Sequence, residues 1–368
     1  MIPINKPSLT YEEVRAVVRV LRSGILTSKS GSGPNVLHFE AVFSKFVGTR
    51  YAVAMNSGTA ALHAALIAAG VGEGDEVILP SLTFVATAEA VVLTGANPVF
   101  VEIDPDTYCI DPEEIETALT SRTKAIIPVH LYGLPCDMDR IMGVAKNHHL
   151  VVIEDAAQAH GAEYRGRPAG SLGDMACFSF YGSKNMVTGE GGMVTTNSSE
   201  YNETLRHLRN HGESRRYQST MLGHNYRMPE MEAALGAVQL TKLPEFVESR
   251  RRNADYLVEQ LKGVDPLQLP AVPAMCVHAW YVFTVRMKGA NAARRNKVVN
   301  KIRARRVDAQ IYYPRPIHRQ DYYRSNFRTG KLPTTEKTAR QVFSLPVHPS
   351  LSERELKRIV RAVRAAVR

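Results

Sequence analysis

Apolar residues in the first half of the chain alternate between two spacings. Short continuous runs, such as YAVAM at residues 51–55, EVILP at 76–80 and LVVIED at 150–155, are typical of buried strands. Between them lie segments with apolar positions at helical spacing, among them GTAALHAALIAAG at 58–70 and MDRIMGVAKNHH at 138–149. Because strand and helix follow each other in turn, the pattern predicts a largely parallel sheet with helices on both faces.

The pattern changes in the second half of the chain. Residues 228–261 form one long helix-prone stretch, in which Pro244 is a candidate bend. Beyond it, the runs AWYVFTVRM and VDAQIYY flank a basic helical segment and predict two further strands, followed by a proline-rich loop and a terminal helix. We therefore predict a large α/β domain over residues 1–249 and a smaller C-terminal α/β domain over residues 250–368.

The composition does not change the predicted fold, but it indicates the class of protein and its cellular location. The 368 residues are 44% hydrophobic and 22% charged, which is ordinary for a globular protein. No run approaches the roughly 20 apolar residues that span a bilayer, and the N-terminus lacks a signal peptide pattern. The four cysteines lack the paired spacing of a zinc site or redox couple. We expect a cytoplasmic protein with no membrane partner and no metal.

The formal net charge of +10 has two interpretations. Most of the excess lies in basic helical segments near the C-terminus, where apolar positions alternate with lysine and arginine. Such segments are more often solvated helix faces than a groove for nucleic acid, so no nucleic acid partner is expected. A positive surface also attracts small anionic substrates.

Candidate chemistry begins at NSGTAAL, where a strand leads into a helix of small residues. Free backbone N–H groups and hydroxyls at Ser57, Gly58 and Thr59 can converge there on a phosphate, although an ordinary capped helix has the same pattern. The glycine spacing of a dinucleotide-binding turn is absent.

A second candidate is HLVVIEDAAQAHG, in which an apolar strand ends in Glu154 and Asp155 and is followed by Gln158 and His160. A carboxylate at this place can bind a metal, cap a helix or hold a cationic heterocycle. No histidine or acidic partners stand at ligand spacing, which disfavours the metal.

The third candidate is Lys184, which follows Ser179 and precedes the glycine-rich TGEGG. A solvated loop lysine is the simple interpretation. A half-buried lysine is costly unless it is chemically tied up, and a Schiff base removes the ammonium. LGHNYRMPEMEAA supplies Asn225 before a helix. Together, a phosphate cup, a carboxylate and a lysine amine meet the needs of pyridoxal 5'-phosphate.

Several stretches of the chain resemble one known family. SGTAAL, EDAAQAHGAEYRGRPAGSLGD, CFSFYGSKNMVTGEGGMV, GHNYRMPEMEAALGAVQL and YYPRPIH look like the motifs of the sugar aminotransferases of the DegT/DnrJ/EryC1/StrS family. The resemblance covers nearly the whole chain. It implies the fold-type I architecture of aspartate aminotransferase, a homodimer with composite active sites, and transfer of an amino group to nucleotide-linked keto sugars.

The same resemblance implies roles for individual residues. Lys184 stands where the family forms its Schiff base, and Asp155 where a carboxylate pairs with the pyridine nitrogen. The other implied cofactor contacts are Gln158 beside the ring hydroxyl, Phe84 stacked on the ring, Ser57, Gly58, Thr59 and Ser179 around the phosphate, and Asn225 from the second subunit.

The implied substrate is a nucleotide sugar. Relatives with histidine in place of the lysine are dehydratases, so Lys184 favours amine transfer. The run YGSK is similar to the YGNK of perosamine synthases, although Ser183 and Asn185 differ from that branch. This implies transfer from L-glutamate, through pyridoxamine 5'-phosphate, to GDP-4-keto-6-deoxymannose, giving GDP-perosamine for glycan biosynthesis.

Four polar residues are candidates for gripping the nucleotide or sugar: His160, Arg215, Tyr313 and His318. Each is equally explained as a packed or solvated side chain. Two alternative functions stay open, a sugar dehydratase on the same cofactor and a cofactor-binding regulatory protein. The sequence leaves the nucleotide, the choice between C3 and C4, and the stereochemistry of the new amine undecided.

Overall fold

A seven-stranded sheet forms the larger part of the computed structural model, which describes residues 1–28 and 31–368. The strands of the whole chain are β1 Tyr51–Met55, β2 Glu76–Pro80, β3 Asn97–Val101, β4 Thr123–Ile126, β5 Val151–Asp155, β6 Glu163–Tyr164, β7 Arg167–Pro168, β8 Met175–Ser179, β9 Gly192–Thr196, β10 Glu213–Arg215, β11 Gln218–Ser219, β12 Leu267–Gln268, β13 Cys276–Val277, β14 Phe283–Met287 and β15 Val342–Leu345.

The helices are α1 Tyr11–Ser23, α2 Pro34–Val47, α3 Gly58–Ala68, α4 Ala86–Leu93, α5 Pro112–Ala118, α6 Met138–His148, α7 Ser199–Arg209, α8 Glu230–Leu261, α9 Ala292–Ala304, α10 Asp321–Asn326, α11 Pro333–Gln341 and α12 Glu353–Val367, with 3-10 turns at Leu131–Gly133 and Ile317–Arg319. Within the described residues, no helix combines the length and the apolar character needed to cross a membrane.

The large sheet has the strand order β1-β9-β8-β5-β4-β2-β3. Only β9 runs antiparallel to its neighbours, and the pairs β8–β5, β5–β4, β4–β2 and β2–β3 are parallel. The predicted mixed, mostly parallel sheet is therefore confirmed. Because β1, β2, β5 and β8 all point the same way, the loops that follow them meet at one edge of the sheet.

A smaller antiparallel sheet, β12-β14-β15, packs with α9 and α12 around a second core near the C-terminus. The predicted strand at VDAQIYY is wrong, because Val307 and Gln310 form only isolated bridges. The strand that pairs with β14 is β15, much later in the chain. Pro314 and Pro316, which directly follow the predicted strand, lack the backbone N–H that a ladder requires.

Helix α8 joins the two parts of the structure. It runs unbroken from Glu230 to Leu261 with Pro244 inside it. Leu240 and Leu243 pack in a core beside the large sheet, whereas Leu257 and Leu261 pack in the core of the small one. The predicted boundary after residue 249 falls within this helix, and the division into two domains stays a prediction.

Candidate active site

The loop after β1 forms a cup with free backbone donors. The Ser57 hydroxyl caps α3 by accepting a hydrogen bond from the Ala60 amide at 3.0 Å. Helix geometry leaves the amides of Gly58 and Thr59, in the first turn, without intrahelical partners. A Cβ at Gly58 would lie 2.7 Å from the Ser179 Cβ, so glycine lets the end of β8 approach the helix. The fold thus brings three of the predicted cup residues, Ser57, Gly58 and Ser179, together.

Asp155 ends β5 at the same edge of the sheet and is buried. Its carboxylate accepts hydrogen bonds from the Thr87 hydroxyl at 2.8 Å and the Ala157 amide at 3.2 Å. Burial raises the pKa of Asp155, while these two donors and the positive charge of Lys184 oppose the rise. Among the described side chains, no cation forms an ion pair with this carboxylate, so a cationic ring nitrogen would compensate its burial.

Glu154, one residue earlier, has a different function from Asp155. Its buried carboxylate accepts a hydrogen bond from His130 Nε2 at 2.8 Å and others from the amides of Gly170, Leu172 and Gly173 at 2.7–2.8 Å. Successive side chains of a strand point to opposite faces, so only one of two neighbouring carboxylates can face the cup. Glu154 serves the structure of the loop at residues 170–173.

Lys184 lies on the loop after β8 with its side chain half-buried. Its amide donates a hydrogen bond to the Tyr181 carbonyl at 2.9 Å, and its Nζ lies 4.9 Å from the centroid of the Tyr281 ring. Tyr281 Oη is 2.9 Å from Ser183 Oγ. Strands β5 and β8 are parallel neighbours, so Asp155 at the end of β5 and the loop that carries Lys184 after β8 lie at the same edge of the sheet. The positive charge of Lys184 also opposes the rise in the pKa of Asp155.

Gln158, Tyr313 and Phe84 lie together beside Asp155. Gln158 Nε2 donates a hydrogen bond to Tyr313 Oη at 3.2 Å, and its Oε1 accepts one from the Tyr132 amide at 2.7 Å. Burial raises the pKa of Tyr313 well above its ordinary value, so it stays a neutral phenol. The Phe84 ring lies 6.0 Å from the Tyr313 ring and is 54% exposed, which leaves its face open to a planar ligand.

The remaining candidates for substrate binding are not all in this group. His318 is buried, with Nδ1 2.6 Å from Ser81 Oγ at the end of β2 and Nε2 3.4 Å from Glu336. Arg215 lies exposed on the β10–β11 hairpin. His160 has no exposed surface; it lies against the rings of Phe178 and Phe180, and burial lowers its pKa to about 3. Neither His160 nor His318 has exposed surface, so neither is proposed to contact the substrate.

Asn225 lies close to the cup of its own protomer. Its carbonyl accepts a hydrogen bond from Asn56 Nδ2 at 3.2 Å, and the Tyr226 carbonyl accepts one from the Asn56 amide at 2.9 Å. The Asn225 side chain is exposed, and Tyr226 Oη lies 2.8 Å from His63 Nδ1. The backbone of this segment therefore belongs to the cup, while the Asn225 side chain is left exposed.

Sequence reasoning missed two side chains of this site, Thr87 and Tyr281. Thr87 lies in the first turn of the small-residue helix α4, and Tyr281 precedes a strand of the small sheet. Neither position carries a motif of its own. Their importance comes from their neighbours in the fold, because Thr87 contacts Asp155 and Tyr281 contacts Lys184.

The residues present fit pyridoxal 5'-phosphate. The cup offers amides and hydroxyls to a phosphate, Asp155 needs a cation beside it, and Lys184 supplies an amine to an aldehyde. No three histidine, cysteine, aspartate or glutamate side chains of residues 1–28 and 31–368 are grouped to hold a metal.

The chain matches the model of the DegT/DnrJ/EryC1/StrS aminotransferase family over residues 7–364. It is 41% identical to the GDP-perosamine synthase of Caulobacter vibrioides over 337 residues, covering 91% of this chain and 90% of that protein. It is 44% identical to the UDP-N-acetyl-3-dehydro-alpha-D-glucosamine 3-aminotransferase of Acidithiobacillus ferrooxidans over 326 residues, covering 88% and 86% of the two chains.

Solved structures agree with these matches. The fold is similar to that of DesV from S. venezuelae in complex with a ketimine intermediate, with a TM-score of 0.92, 42% identity and coverage of 97% and 95% of the two chains. It is also similar to the PLP form of a putative sugar aminotransferase from Streptococcus pneumoniae, with a TM-score of 0.94, 29% identity and coverage of 100% and 98%.

Proposed function

Because the chain belongs to the DegT/DnrJ/EryC1/StrS aminotransferase family, we propose that it moves an amino group from L-glutamate to a nucleotide-linked 4-keto-6-deoxy sugar. The predicted family, fold class and cofactor are confirmed: the protein is a sugar aminotransferase that depends on pyridoxal 5'-phosphate. One observation carries the choice of site, namely that Lys184, Asp155 and the Ser57 cup meet at the carboxyl edge of the large sheet.

The residues of this site have separable tasks. The amides of Gly58 and Thr59 and the hydroxyls of Ser57 and Ser179 would bind the cofactor phosphate. Asp155 would hold a proton on the ring nitrogen. Pyridoxal 5'-phosphate, when bound, supplies an electron sink for the bond that breaks at the donor's Cα.

Proton transfer falls to Lys184. Its Nζ would take the proton from the donor's Cα and deliver it to C4' of the cofactor, then reverse both movements when the sugar binds. Phe84 would cover one face of the ring and Gln158 would support its hydroxyl side. Tyr313 is proposed to contact the sugar or its diphosphate, and Arg215 to reach the same ligand from its hairpin.

Two relatives indicate which sugars could accept the amino group. The 41% identity to a GDP-perosamine synthase supports a GDP-linked 4-keto-6-deoxymannose. The 44% identity to a 3-aminotransferase supports a second candidate, a UDP-linked 3-keto sugar. Both are nucleotide sugars, and the net charge of +10 fits an anionic substrate of either kind.

A panel of GDP-, UDP- and dTDP-linked keto sugars tests the proposal, with L-glutamate as donor and release of 2-oxoglutarate as readout. We expect one class of sugar to yield 2-oxoglutarate and amino sugar in equal amounts. Borohydride reduction should attach the cofactor to the peptide that contains Lys184. Sugar turnover without 2-oxoglutarate would indicate a dehydratase, and salt-sensitive DNA retention without transamination a regulatory protein.

The oligomer and the location of the protein belong to the same proposal. We propose a homodimer in which Asn225 completes the phosphate cup of the partner subunit, acting in the cytoplasm. The exposed side chain of Asn225 beside Asn56 supports this arrangement. A dimer measured by sedimentation, and activity in the cytoplasmic fraction, are the expected results.

A further inference from the structure

The ammonium group of Lys184 faces an aromatic ring rather than a carboxylate. Its Nζ lies 4.9 Å from the centroid of the Tyr281 ring, within the roughly 6 Å over which a cation is attracted to the face of a ring. In the described part of the chain, no acidic side chain forms an ion pair with Lys184. The Tyr281 ring is therefore a direct contact of the ammonium, in a site where the carboxylate of Asp155 also interacts with its charge.

A network of hydrogen bonds fixes the ring relative to the lysine loop. Tyr281 Oη lies 2.9 Å from Ser183 Oγ, next to the lysine in the chain. Arg250, buried in α8, donates from Nη1 to the carbonyls of Trp280 and Tyr281, each at 3.0 Å. Its Nη2 donates to Asn5 Oδ1 at 2.9 Å, and Asn5 Nδ2 donates to the Ser183 carbonyl. These contacts lead from Tyr281 through Ser183, Asn5 and Arg250 back to Tyr281. They therefore fix the position of the Tyr281 ring relative to the loop that carries Lys184.

We propose that Tyr281 is a positioning residue, whose ring face holds the protonated amine of Lys184 between its two proton transfers and whose hydroxyl is oriented by Ser183. The role rests on the proposed function, in which Nζ takes up a proton from the donor and later returns it. A ring that attracts the ammonium at a fixed place keeps the proton within reach of the reacting carbon. Simple packing is the competing explanation, since Tyr281 is buried in the main core.

Attraction of the ammonium by the ring and simple packing predict different reactivity for the Lys184 amine. We choose the full-length enzyme in its pyridoxamine 5'-phosphate form, in which Lys184 is not tied to the cofactor. Acetic anhydride labels only neutral amines, and mass spectrometry of the peptide around residue 184 gives its rate. Lys146, exposed on α6, is the internal reference. Rates at pH 7.5 and, in a brief pulse, at pH 11.5 separate preference for the ammonium from access, because an ordinary lysine loses its proton near pH 10.4 and little ammonium is left about one pH unit higher.

Tyr281→Leu removes the ring, Tyr281→Phe keeps the ring without the hydroxyl, and Tyr281→Met is a second ringless variant if leucine prevents folding. We expect the ringless variants to label Lys184 about three- to tenfold faster at pH 7.5, with much less change at pH 11.5. Tyr281→Phe should label nearly as the native enzyme does. Ser183→Ala should label Lys184 at a rate between those of Tyr281→Phe and the ringless variants, because the ring is kept but loses its hydrogen bond to Ser183.

Phe283→Leu is the matched control, because Phe283 is a buried aromatic residue of the following strand and packs in the core of the small sheet. It should leave the ratio of labelling at the two pH values unchanged. With the sugar that the panel selects, Tyr281→Leu should lower kcat about tenfold with little change in KM, and Tyr281→Phe should recover most of it.

Equal acceleration at both pH values would mean that the ring only blocks access, and would overturn the proposal. So would unchanged labelling in both ringless variants, or the same effect in Phe283→Leu. Labelling needs no sugar, so the two hypotheses fail separately. If labelling behaves as expected but no sugar is aminated, the contact between Tyr281 and the ammonium stands and the proposed function is wrong.

Discussion

Glu154 and Asp155 are neighbours with opposite surroundings. Glu154 receives hydrogen bonds from His130 and three loop amides, which satisfy its carboxylate within the fold. Asp155 receives a hydrogen bond from Thr87 and another from the Ala157 amide, and has no cationic partner among the side chains described. A buried carboxylate in this state stabilises a cation placed beside it. The two carboxylates therefore differ in the hydrogen-bond donors that surround them.

Asp155→Asn tests this interpretation at the residue scale. The amide keeps the shape of the side chain but cannot stabilise a proton on the ring nitrogen, so we expect cofactor binding to persist while kcat falls about 100-fold or more. Absorbance titration with pyridoxal 5'-phosphate and the glutamate half-reaction measure the two effects. Glu154→Gln, by contrast, should lower the melting temperature by weakening the loop at residues 170–173. Unchanged kinetics in Asp155→Asn would contradict the assignment.

At the element scale, the start of α3 is shaped by close contact with the end of β8. Gly58 lies where any side chain would meet Ser179, and a Cβ on Gly192 would overlap the Ser57 carbonyl. Two glycines therefore let three segments converge on a cup with free amides. The apolar first turns of this helix are buried, which fixes its direction against the sheet.

Gly58→Ala should damage the cup without unfolding the protein. The added methyl group must push Ser179 aside, and overpacking of this kind costs about 1–3 kcal/mol, so we expect pyridoxal 5'-phosphate to bind about tenfold more weakly. Gly72→Ala is the control, because a Cβ there would meet no other atom within 4 Å. Equal cofactor affinity in the two variants, measured by fluorescence titration, would show that the contact is not limiting.

Helix α1 is attached to α8 by a buried acid. The Glu13 carboxylate accepts hydrogen bonds from Gln239 and Lys242, and its capping contact with Thr10 closes the N-terminus of α1. Burial by itself would raise the pKa of Glu13, but the bonds from Lys242, Thr10 and Gln239 outweigh it and lower the pKa to about 2. The ionised form is therefore the one that holds the two helices together.

The sign of the resulting pH dependence follows from that lowered pKa. Stability from Glu13 is fully present above its ordinary pKa of 4.5 and is lost as the pH falls towards about 2. Glu13→Gln should remove about 1–2 kcal/mol at pH 7 and flatten the stability profile across this acid range. Glu12→Gln is the control, since Glu12 contacts the same Lys242 from an exposed position. Parallel profiles for both variants in urea melts would refute the role of Glu13.

At the scale of the whole molecule, Arg250 connects distant parts of the chain. It is buried, and burial lowers its pKa to about 9. Its hydrogen bonds join α8 to the carbonyls of Trp280 and Tyr281 and to Asn5 near the N-terminus. The surroundings of Lys184 therefore depend on residues near the N-terminus, in α8 and just before β14.

The dimer is tested by mixing two inactive variants. Lys184→Ala removes the amine, and Asn225→Asp places a negative charge against the phosphate. If Asn225 acts in the partner's site, a hybrid dimer has one site with both native residues, and equal mixing should restore about a quarter of the native sites. Recovered transamination after mixing, measured against each variant alone, is the expected result. No recovery would place Asn225 in its own subunit's site.

The sequence by itself determined the alternating elements and the cofactor chemistry, and it predicted roles for Lys184, Asp155 and the Ser57 cup. These features can be predicted from local patterns, because a strand's period, a helix cap and a lysine before a glycine-rich turn each depend on residues close together in the sequence. The strand predicted at VDAQIYY shows the limit. An apolar run predicts that a segment is buried, but it does not predict which strand the segment pairs with. In the structure β15, much later in the chain, pairs with β14, and the VDAQIYY segment forms only isolated bridges.

Only the tertiary structure decided which groups surround the reactive residues. It separated Glu154 from Asp155, enclosed His160 among aromatic rings, and brought Thr87 to one catalytic candidate and Tyr281 to the other. These contacts join residues that are many positions apart, such as Lys184 and Tyr281. The hydrogen bonds and charges that tune a buried group depend on distances across the fold, and spacing along the chain does not contain them.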